Sequence, residues 1–191
     1  MTAISYLTQA ARPFVGPREL TLYAVLLIAS LPIHAFGWHL ALHVTGAGLL
    51  IGNAVVMAIW LTVAGTVGDD RAKRRAASVV NRADAWFTVP GVLLLLANGV
   101  AMASARYGGF PAFLAYDWIA IGLGMLSATG VVWALRLVPT QLGLHRLATA
   151  PGDLDRRAFG ALLTRWYAWG TIATVLPILA AIAMRAKPDV L

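Results

Sequence analysis

Two histidines, His39 and His43, stand four residues apart at the start of a long apolar stretch, so a helix there places both imidazoles on one face. His34 sits just before them. An ionisable group at membrane depth is expensive and marks a candidate site by default. An imidazole there can carry a proton or ligate a metal or haem iron. The residues three and four beyond His43 are Gly46 and Ala47, and Gly48 and Gly52 follow as a small-xxx-small pair. Small residues let another helix backbone approach closely. They equally admit a flat macrocycle against the helix, with His43 as its axial ligand. The two uses are compatible if Gly48 and Gly52 pack while Gly46 and Ala47 face a pocket.

Other chemistries find less support. Zinc usually needs a third protein ligand and a general base beyond the His39–His43 pair, and no HExxH pattern is present. Copper favours His with Met or Cys, but Cys is absent and Met57, Met102, Met125 and Met184 are spread along the chain. Asp117 is the one carboxylate that falls beside the histidines once the chain is threaded through a membrane. Asn53 and Asn98 fit hydrogen bonds between helices. Pro90 and Pro177 fall inside apolar segments, where they kink a helix. No nucleotide loop or Ser–His–Asp pattern occurs.

These residues need elements to hold them. Of 191 residues, 60% are hydrophobic and 12% charged, which excludes a water-soluble domain and a disordered chain. The 15 basic residues are scattered between apolar blocks, so the charge of +7 does not indicate nucleic-acid binding. An all-α integral membrane bundle remains. Segments 39–66, 86–106, 118–135 and 166–186 are each close to the roughly 20 residues that cross a bilayer. Segment 20–36 is short and carries Pro32, and it is expected to form a fifth span. Residues 1–37 are thus an N-terminal segment and 38–188 a four-helix membrane domain. Trp38, Trp86, Trp118 and Trp166 mark span starts, at headgroup level. The connection 137–164 is expected to hold a short interfacial helix, with His145 solvated.

The basic residues set the orientation. Connections 67–85 and 136–165 each carry five Lys or Arg, whereas 107–116 carries none. With Arg12 and Arg18, 12 basic residues fall on one side against Arg106, Arg185 and Lys187 on the other. The richer side is cytoplasmic. This makes it a multi-pass membrane protein with its N-terminus inside and anionic lipid contact. His39, His43, Asp117, Arg106, Arg185 and Lys187 then gather at the outer face.

The segment His43-Val-Thr-Gly-Ala-Gly-Leu-Leu-Ile-Gly52 resembles the opening signature of bacterial membrane proteins grouped as domain of unknown function 2269. Arg165-Trp166, Gly170, Ala183-Met184 and Lys187-Pro188 resemble its far end, and together these cover residues 38–188. The layout is also similar to a wider group that includes copper-resistance protein D, bacterial membrane protoporphyrinogen oxidase and the membrane domain of cytochrome-type urate oxidase. Ile51-Gly52-Asn53 matches the last of these. Leu50 departs from the expected aromatic, and the oxidase's Asn-Glu-x-Pro pattern is absent. The resemblance implies a four-helix bundle with b-type haem near the outer leaflet, His43 and Lys187 carrying the role.

A haem-b-binding redox protein is therefore the leading expectation, its catalytic residues unassigned. His43 is the axial ligand, with His39 an alternative, because two His at this spacing cannot clamp both faces of one porphyrin. Arg106, Arg185 and Lys187 suit the propionates, and Gly46 gives the ring room. The competing expectations are a transporter or accessory subunit for a metal or small solute, and an interaction subunit that docks other helices. An electron-transfer or other membrane protein partner and a homo-oligomer are both compatible. Reporter fusions after Asp70 and after Gly109 should read inside and outside respectively; both on one side would overturn the orientation.

Overall fold

A computed structural model of the protein describes residues 15–30 and 36–187, and every regular element in it is helical. α1 covers Pro17–Ser30 and α2 covers Phe36–Val67. α3 (Asp70–Ala83) runs through a π-helical turn, Asp84–Thr88, into α4 (Val89–Tyr107). α5 (Asp117–Val132) runs through a second π turn, Trp133–Leu137, into α6 (Val138–Thr149). α7 covers Arg156–Ala186. Four continuous helices are long and apolar enough to cross a membrane: Phe36–Val67, Asp70–Tyr107, Asp117–Thr149 and Arg156–Ala186. Among the described residues a fifth span is not shown. α1 has 14 residues, about 21 Å of helix against a hydrocarbon layer of about 30 Å. Residues 31–35, with Pro32 and His34, lie outside the described residues.

The connection 67–85, expected to be a loop, is largely a helical extension of its span, and the helix expected after Pro139 is α6, continuous with α5 through the second π turn. Asp69 caps α3 by accepting from Ala72 N at 2.7 Å. Ala76, Ala77 and Val80 then fall on one buried face while Arg71, Arg75 and Arg82 stay exposed. That face packs on α6 around Leu144 and Ala148. Arg74 fixes the pair: Nη1 donates to the carbonyls of Leu147, Ala148 and Ala150, and Nη2 donates to that of Gly152 at 2.7 Å. These include carbonyls that α6 cannot satisfy within its own last turn.

Both π turns stand directly before a Val-Pro pair, Val89-Pro90 and Val138-Pro139. Proline offers no N–H and its ring crowds the carbonyl four residues back. Widening the preceding turn, with Val89 N bonded to Asp84 O and Val138 N to Trp133 O, carries each helix past its proline.

Helix α2 packs along α4, and α5 along α7. The two pairs join at the basic end, where Leu61 and Ala64 share a core with Phe159, Leu163 and Trp166. A smaller cluster of Ala103, Phe113 and Ile119 closes the opposite end. Apolar side chains such as Val56, Ile59, Val63 and Ile182 face outward, as a bilayer requires.

The closest approach of α2 and α4 is not where the glycine spacing placed it. A Cβ on Gly46 would lie 2.6 Å from both Gly91 O and Leu95 N, and one on Gly91 would lie 2.9 Å from Gly46 O. Gly48 and Gly52 are exposed, with nothing within 4 Å of such an atom. Two residues turn a helix by about 200°, so the face that buries Gly46, Leu50 and Asn53 turns Gly48 away. Gly46→Val should therefore cost about 1–3 kcal/mol in detergent unfolding, and Gly52→Ala should stay within about 0.5 kcal/mol of the parent. The reverse ranking would contradict this crossing.

Candidate functional site

Away from the basic end, the two helix pairs part around a cavity of about 550 Å³. His43 and Ala47 of α2, Arg106 of α4, Trp118 of α5, and Met184, Arg185 and Lys187 at the end of α7 all line it. His43 Nδ1 lies 2.8 Å from the carbonyl oxygen of Leu95. A carbonyl only accepts, so Nδ1 carries the hydrogen and a neutral ring keeps its lone pair on Nε2. The ring fits because residue 99 is glycine: a Cβ there would stand 2.9 Å from His43 Cε1 and Nδ1. Lys187 ends α7 in the left-handed conformation, φ 49°, and places Nζ 5.2 Å from the centre of the Trp118 ring. Met184 is seated against Gly122, where any Cβ would collide with its methyl group.

Four residues expected at one face, His43, Arg106, Arg185 and Lys187, thus meet in one cavity. His39 lies apart from them. Its Nδ1 pairs with Asn98 Oδ1 at 2.8 Å, and the ring lines a different cavity with Leu27, Ser30 and Phe36. Asn98, fully buried, also donates to Ser30 Oγ at 3.0 Å and to Leu94 O at 2.8 Å, which ties α1 to α4. Gly46 sits at the Gly91 crossing, where the tight approach leaves no room beside it for a macrocycle. Asp117 opens α5 but does not line the His43 cavity. His145 is on α6 and half-buried, not solvated in a loop, because the helix runs on past Pro139. Among the described residues no three His, Cys, Asp or Glu side chains gather as metal ligands.

Sequence reasoning missed Asp84. It opens the first π turn and lines a second cavity of about 680 Å³ towards the basic end. Asn53 Nδ2 and Thr88 Oγ1 donate to Oδ1 at 3.0 and 2.8 Å. Trp133 Nε1 and Gln141 Nε2 donate to Oδ2 at 3.2 and 2.9 Å. The donors come from α2, both π turns and α6. Asn53 and Asn98 both bond across helices as expected, Asn53 in this network and Asn98 in the separate one with Ser30. One signal was available: a lone Asp two residues before the Trp86 span start, with Thr one helical turn on.

The family model for predicted integral membrane protein (DUF2269) matches residues 39–188. No curated protein matches the chain, and no solved structure does. Replacing the carboxylate by Asp84→Ala should leave Gln141 Nε2 without its acceptor, at about 1–3 kcal/mol, while Asn53 Nδ2 keeps Thr88 Oγ1 at 2.8 Å. Denaturation in detergent should register the loss, and an unchanged midpoint would show that the network bears no stability.

Proposed function

Because the chain belongs to the DUF2269 family of predicted integral membrane proteins, we propose that it binds haem b in the His43 cavity and serves a redox role in the bacterial inner membrane. The observation that carries this is the bond from His43 Nδ1 to Leu95 O. Ligating histidines donate their other ring N–H to such a partner, which fixes the tautomer and orients the ring. The rest of the cavity suits the group. Its walls are largely apolar, and Arg106, Arg185 and Lys187 line it as counter-charges for two propionates. Exposed Leu40 and Val44 at its border give a lateral opening between the helix pairs.

A second ligand to a bound iron would come from a sulfur rather than from His39, which lines its own cavity. Met102 of α4 and Met184 of α7 line the same walls as His43. Bound haem b supplies one-electron chemistry, and a methionine ligand raises its potential. The chain's own residues hold the ring, neutralise its acids and keep its apolar body from water. The resemblance of His43 and Lys187 to the haem-linked positions of the membrane oxidases supports the same assignment.

One observation favours a second reading, a transporter or accessory subunit. Leu50, Leu96 and Leu126 line both the His43 cavity and the Asp84 cavity, so a thin leucine layer separates two chambers stacked through the bundle.

Purified protein from haem-replete cells should show a Soret band that shifts on reduction. His43→Ala should abolish it in a protein that still inserts and folds, while Lys187→Ala should weaken retention or shift the potential. Met184→Leu should lower the potential if it is the second ligand, and His145→Ala should change nothing. A colourless wild type, or an unaltered spectrum in His43→Ala, would pass the case to the transport reading.

A further inference from the structure

The Asp84 cavity is independent of the haem reading. Its carboxylate has about four acceptor positions, and four neutral donors fill them at 2.8–3.2 Å. Three of these donors, on Asn53, Trp133 and Gln141, are N–H groups that cannot accept, so they are arranged for a carboxylate. Among the described residues the partners of Asp84 include no Lys or Arg. A half-buried carboxylate inside the bundle without a counter-charge is unusual, because hydrogen bonds satisfy its oxygens but do not cancel the field it has when ionised. The cavity it faces is otherwise mostly apolar, and the rings of Trp133, Trp166 and Tyr167 line it. Such rings attract cations across their faces.

From this we infer that the cavity between the two π turns binds a lipophilic organic cation that carries no N–H, such as a quaternary ammonium or phosphonium. The absence of N–H follows from the geometry. A primary amine would have to displace a donor to bond the carboxylate, whereas a fully substituted cation needs only charge and aromatic contact. The lipophilic body follows from the access route. Val55, Ile59 and Val175 line the cavity and are exposed on the membrane-facing surface, so the opening is lateral, towards lipid. A π turn on either side of the site is consistent with function, since such turns cluster at functional positions.

The experiment uses the full-length protein in phosphatidylcholine nanodiscs with radiolabelled tetraphenylphosphonium, and tetraphenylborate as the anion of the same shape. Wild type should bind the cation saturably and at least tenfold more tightly than the anion. Displacement by benzyltrimethylammonium should exceed that by benzylamine. Asp84→Asn should remove the preference for the cation and His43→Ala should keep it, separating this site from the haem cavity. If Asp84→Asn does not fold, the comparison of cation and anion on wild type still decides. Equal binding of the two ions, no saturable binding, or stronger displacement by benzylamine would overturn the inference.

Discussion

One carboxylate organises the basic end of the bundle. Asp84 collects donors from α2, from its own π turn, from the second π turn and from α6. A hydrogen bond to a charged group contributes roughly 1.5–3 kcal/mol, and in a low-dielectric surrounding an unpaired one is correspondingly costly. The network forms only when the two proline-preceded turns stand side by side, so it fixes how far each long helix slides against the other. Around it the α3–α6 pair, clamped by Arg74, and the shared core of Leu61 and Trp166 complete a rigid base.

The opposite half follows from that base. With α2 held to α4 by the Gly46–Gly91 contact and Met184 of α7 seated on Gly122 of α5, each pair is tight within itself. The pairs are joined firmly at the basic end, and the space between them opens into the His43 cavity. The proposed site lies where packing is sparse. His43 is oriented by a main-chain carbonyl of the helix beside it, so its ring is positioned without any other side chain. The opening beside Leu40 and Val44 faces the lipid side, so the approach we propose for the ligand lies within the bilayer.

Hydropathy and charge made the helical class and the four spans legible, because a bilayer imposes length and apolarity on every crossing segment. The grouping of His43, Arg106, Arg185 and Lys187 was legible for a related reason: counting passes places helix ends on sides. What escaped depended on helix phase and on side-chain reach. Gly46 and Gly48 look alike in sequence, yet only Gly46 faces α4. His39 and His43 share a face by spacing, but Asn98 and Leu95 draw them into different cavities. Asp84 was hidden because its surroundings, Arg82 before it and Asn81 one turn back, read as a solvated loop. Only the continuation of α3 into α4 carries it into the bundle.

The helix pairs are joined at the basic end, and we propose that they hold a ligand between them at the other. Electron–electron distance measurement tests this directly, since the chain has no Cys to interfere with spin labels. Labels on exposed Leu40 and Ile182 report the ligand end, and labels on exposed Val67 and Gly160 report the base. The distribution for the first pair should be broad without haem and narrow when haem is added, while the second stays narrow throughout. A first pair that is already narrow without haem, or that haem leaves unchanged, would contradict the account.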